Sequence, residues 1–150
     1  MAKMTEKQLK ELCSEWNDMR YATEYPFTMG EASVLAMGEY KGFEFVAINM
    51  GGSHPCGYVN VESTKLECEF YNDINVECHG GITFSGTKSM MEHGWWIGWD
   101  YAHSGDFMPY YTAEEQKHCV KYTTAYVVQE CVNVIEQIQN LVKVTHEIVR

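Results

Sequence analysis

Apolar positions recur along this chain with two different periods. Near the start, Leu9, Leu12, Cys13 and Trp16 return at short helical steps behind Thr5 and Gln8, which have the spacing of a capping box. The pattern predicts a first helix over 6–18. After Pro26 and Gly30 the period shortens. The runs "ASVLAMG" (32–38) and "FEFVAINM" (43–50) are rich in β-branched and aromatic residues, and the intervening "EYKG" reads as the turn of an antiparallel hairpin. A third strand, "GYVNVE" (57–62), follows the glycine-rich "GGSHPCG". A fourth, "INVECHGGITFS" (74–85), is interrupted at Gly80 and Gly81, where it must bulge or end. "GWWIGWD" (94–100) is the fifth, and residues 63–73 form an exposed polar connection.

Helical period returns in the last third. Thr112 and Glu115 make a second capping box, and from Val120 apolar residues recur at Val127, Cys131, Val134, Ile138 and Leu141 on one face of a long helix. Its Val, Ile and Thr content gives mediocre intrinsic helicity, so burial must stabilise it. The partner surface is the sheet or, in a homo-oligomer, a second copy of the chain. The expected fold is α+β: an antiparallel or mixed sheet of about five strands, with an N-terminal helix and a long C-terminal helix packed on it. A single globular domain over 1–150 accounts for the length.

Composition narrows the partners. No stretch approaches the ~18 uninterrupted apolar residues of a bilayer span, and the start lacks an apolar signal core, so no membrane partner and a cytoplasmic location are expected. Six cysteines without a C-x-x-C pair then read as free thiols rather than a disulfide framework or zinc knot. Eleven Lys and Arg against 21 Asp and Glu give a formal charge of -10, which repels nucleic acid and argues against binding it directly. Part of the acidity is local, since Glu62, Glu67, Glu69, Asp73 and Glu77 fall in one short span, which reads first as a solvated loop.

Three segments place reactive groups beside glycines at strand ends: His54 in "GGSHPCG", His79 with Gly80, Gly81 and Thr83 in "HGGITF", and Asp100, His103 and Asp106 in "WDYAHSGD". Loops at strand ends converge, so these residues are the expected ligand-binding set. Gly80, Gly81 and Gly105 are candidates for a cradle of backbone amides. His103, Asp100 and Asp106 are the catalytic candidates, because an imidazole between two carboxylates is held in one tautomer and can act as a general base. With His79 the same groups could ligate a divalent metal, although the spacing by itself assigns no metal and no cofactor. In the structural reading, both carboxylates cap turns and His103 satisfies a buried partner. Alternation puts Trp95, Ile97 and Trp99 on one face of the fifth strand and Trp96 on the other, as core or as an aromatic platform for a ligand. Cys78 beside His79 is a poor nucleophile candidate, since neighbouring strand residues point apart.

"HGGITFS" and "WWIGWDYAHSGD" together resemble a set of short proteins from bacteriophages, prophages and some Gram-positive bacteria. That set carries a His-Gly-Gly-aliphatic-Thr-aromatic-Ser run and a Trp-Ile-Gly-Phe-Asp-Cys-Ala-His-x-Gly-Asp run. The likeness covers the central third of the chain and extends to "HPCGYV". Here Trp99 stands for the Phe and Tyr101 for the Cys, so a role of that thiol does not carry over. The resemblance implies a phage or mobile-element setting inside a bacterial host cell, and no mechanism. Three functions are consistent with the residues. The first is an accessory protein that binds a polar small molecule and sequesters a nucleotide-derived defence signal. The second is a hydrolase that uses the His/Asp cluster, with or without a metal. The third is an acidic inhibitor that docks on the basic surface of a host nuclease.

Overall fold

The computed structural model describes residues 7–8, 32–50, 53–87 and 93–149. Residues 7 and 8 are helical, and the rest of the helix expected over 6–18 lies outside the described residues. Five strands form one sheet: β1 (Ala32–Tyr40), β2 (Phe43–Met50), β3 (His54–Asn60), β4 (Phe84–Gly86) and β5 (Trp96–Asp100). Their order is β1-β2-β3-β5-β4, and every neighbouring pair is antiparallel. A one-turn helix, α1 (Ala113–Gln116), and the long α2 (Thr124–Val149) follow, completing an α+β fold.

The β1–β2 hairpin turns on Lys41 and Gly42, whose φ angles of 49° and 85° are both left-handed. A two-residue turn of that hand matches the twist of the strands it joins. β3 begins at His54, three residues earlier than the pattern suggests. Pro55 is tolerated there because it lies near the strand's start and its carbonyl accepts the Tyr101 N–H at 3.1 Å. α2 lies across β1, β2 and β3. Its buried stripe, which includes Val127, Cys131, Val134 and Ile138, packs with Leu35, Phe45, Val59, Ile97 and Trp99 in the main core. The opposite face of the sheet carries a second cluster of Val46, Ile48, Cys56, Tyr58 and Trp96.

Two expectations need correction. Of the run 74–85, only Phe84 and Ser85 join a strand. Ile74 and Val76 are buried in alternation, as strand residues would be, but their segment lies against α2 and not against another strand. The Gln137 side chain donates to the Glu77 carbonyl at 2.7 Å and accepts the Glu77 N–H at 2.8 Å, supplying the pair of bonds a strand neighbour would have made. Val120 is not on the helix. It is 55% exposed and forms an isolated parallel bridge with Asp106.

Candidate functional site

The loop that leaves β5 is short and tightly bonded. The Asp106 N–H donates to the His103 carbonyl at 2.9 Å, and the His103 N–H returns a bond to Asp106 Oδ2 at 2.9 Å. Val120 fastens the far side, with its N–H on the Gly105 carbonyl at 2.8 Å and its carbonyl accepting from Phe107 at 3.0 Å. These bonds carry the Asp106 carboxylate into the interior, where the residue is only 3% exposed. There it meets His79, whose Nε2 lies 3.0 Å from Oδ1 and 2.8 Å from Oδ2.

His79 is held from three sides. Its ring stacks on Tyr101 at 4.4 Å and 16° and meets Tyr122 edge-on at 4.8 Å, while its backbone N–H donates to Glu130 on α2 at 2.9 Å. Burial pushes the Tyr101 hydroxyl pKa up, so this phenol is a neutral platform that accepts the Trp99 Nε1–H at 3.1 Å. Tyr101, Tyr122 and Glu130 were not expected at the site. The only hint in the sequence is that Glu130 borders the apolar stripe of α2.

His103 lies beside this pair, with ring centroids 5.7 Å apart. Its Nδ1 is 3.5 Å from Asp106 Oδ2 and its Nε2 is 3.6 Å from Asp100 Oδ1. Asp100 is fixed in turn by the Thr83 hydroxyl at 3.0 Å and by the Ala102 N–H at 3.2 Å. Gly80 lies under the His103 ring, where a Cβ would come within 2.2 Å of Cε1. The Gly81 N–H is spent on the Cys78 carbonyl at 3.0 Å, and the Gly105 carbonyl holds Val120. The two glycines after His79 thus make a turn and a ring seat, and the Gly81 amide of the expected cradle is spent inside that turn.

A hollow of about 340 Å³ opens on the other face of the sheet end, lined by Met50, His54, Cys56, Tyr58, Thr83, Phe84, Trp99, Asp100 and Ala102. Burial lowers the His54 pKa, partly opposed by the charges of Asp100 and Asp106, and Ser53 Oγ lies 2.9 Å from its Nδ1. Thus the residues named from sequence gather into two adjoining groups. His79, His103 and Asp106 form one; His54, Thr83 and Asp100 line the other; Asp100 touches both. Trp96 belongs to neither. It is 4% exposed, packs in the second cluster and donates its Nε1–H to the His93 carbonyl at 2.8 Å, so it is core and not a ligand platform. Burial pushes the Cys78 thiol up to about 12, which removes it as a nucleophile near neutral pH.

No family model, no curated protein and no solved structure matches the chain. Among the described residues no helix is long and apolar enough to cross a membrane.

Proposed function

We propose that the chain is a small phage-type accessory protein that binds a polar small molecule and sequesters a nucleotide-derived defence signal in the bacterial host's cytoplasm. The hollow beside Asp100 carries this reading. His54, Thr83 and Asp100 give it a polar floor, and Met50, Tyr58 and Phe84 give it an apolar wall. A nucleoside suits both halves: sugar hydroxyls donate to the Asp100 carboxylate while the base lies against the rings. No Lys or Arg is among the described residues that line the hollow, which disfavours a bare polyphosphate. The resemblance to phage and prophage proteins supports the setting, and sequestration needs affinity without turnover.

Native mass spectrometry of the protein purified from its own host tests the reading. A retained small-molecule mass is expected, with affinity about 10- to 100-fold weaker in Asp100→Asn, where a charged acceptor is lost. Charge reversal at Glu62, Glu67, Glu69 and Asp73 should leave the mass in place. The reading fails if no mass is retained and no nucleoside or nucleotide from a soaked panel raises Tm. A host nuclease whose inhibition depends on those four charges would favour the docking alternative, for which the exposed Phe70 and Tyr71 among them are the supporting observation.

A further inference from the structure

We infer that His79 Nε2, His103 Nδ1 and one Asp106 carboxylate oxygen form a three-ligand site for a divalent first-row transition ion of the zinc class, with Asp100 as a positioning residue behind His103. The inference is independent of what occupies the hollow.

Geometry is the first support. One ligand atom from each of His79, His103 and Asp106, a ring nitrogen or a carboxylate oxygen, lies within 4.8 Å of the other two. Ligand bonds of ~2.1 Å in a tetrahedral site put donor atoms about 3.4 Å apart. His103 Nδ1 is already 3.5 Å from Asp106 Oδ2, and His79 Nε2 at 2.8 Å has only to open slightly.

A second, independent observation is the state of His103 Nδ1. That nitrogen is shielded from solvent and has no hydrogen-bond partner, although the ring is wedged so that it faces the carboxylate. A buried polar atom left unpaired is costly, and a metal ion is one of the few partners that satisfies a ring nitrogen and a carboxylate together. The far side of the same ring has the arrangement that accompanies metal-bound imidazoles. Nε2 faces the Asp100 carboxylate, which is itself anchored by Thr83 and Ala102.

Donor type selects the ion. Two imidazoles with one carboxylate suit zinc, iron, nickel or copper, whereas magnesium and calcium require oxygen ligands. Three protein ligands leave a coordination position open, and the 39% exposure of the His103 side chain provides a route to it for water or a ligand oxygen.

The test uses the full chain stripped with chelator and titrated with Zn2+ in excess Mg2+, followed by Co2+ absorption spectroscopy. One ion per chain is expected, with affinity at least 100-fold weaker in His79→Ala and in His103→Ala. Asp100→Asn should weaken it about tenfold at unchanged stoichiometry, as loss of an outer partner does. Circular dichroism establishes that each variant is folded, and His103, being half-exposed, is the safer of the two ligand variants. The Co2+ spectrum should show ligand-field bands without a thiolate charge-transfer band. A thiolate band, displacement by Mg2+, or equal Zn2+ affinity in folded His103→Ala would overturn the site.

Discussion

Gly80 and Gly81 share a left-handed backbone, with φ of 69° and 81°, yet they do different work. A Cβ on Gly81 would meet nothing within 4 Å, so Gly81→Ala costs only the backbone penalty of about 1–2 kcal/mol. A Cβ on Gly80 would strike the His103 ring, so Gly80→Ala must also displace that imidazole. The expected outcome is a change in the His103 ring-nitrogen chemical shifts in Gly80→Ala alone, measured by NMR. Unchanged shifts there would mean that the glycine does not seat the ring. The sequence marks both positions as places where the backbone needs freedom. It does not say which side chain closes over one of them, because that contact joins residues 23 apart through the end of β5. Tyr101 makes the complementary point: read from sequence as the loss of a thiol, it serves in the fold as the surface on which His79 stacks.

At the scale of elements, legibility follows the range of the interactions. The hairpin at Lys41–Gly42 is local, and its turn chemistry and alternation suffice to place it. β5 is equally plain, because Ile97 and Trp99 face the main core while Trp96 faces the second cluster. The segment 74–79 also alternates, and alternation cannot distinguish a strand from an extended chain bonded by a helix side chain. Gln137 makes the difference. Replacing it by Leu removes both bonds to Glu77 and should cost about 1–2 kcal/mol. Hydrogen exchange should accelerate at Glu77 and at the neighbouring His79, while β2 and β3 stay protected. Equal acceleration through the sheet would mean that the segment is part of the global core and not a strap held by α2. The same helix bears on self-association. The stripe from Val127 to Ile138 is already buried within the fold, so that stretch is not free to pair with a second copy.

The whole molecule carries a formal charge of -10, and its response to acid separates a site effect from a general one. Lowering the pH neutralises carboxylates and eases their mutual repulsion, which by itself favours the folded state. His54 acts in the opposite direction. Burial holds its pKa below the ordinary 6.5, so between the folded value and 6.5 the unfolded chain binds more protons, and stability falls as pH drops through that window. Glu136 adds a second, more acidic window. Hydrogen bonds from Tyr40 and from Lys41 at 3.0 Å hold its carboxyl below 4.5, so its stabilising contribution is complete above 4.5 and is lost as pH falls through the folded value. Thermal melts across pH should therefore show two successive declines. His54→Asn should flatten the first and leave the second, and Glu136→Gln should do the reverse. Should the decline just below 6.5 persist in His54→Asn, the hollow's imidazole is not its source.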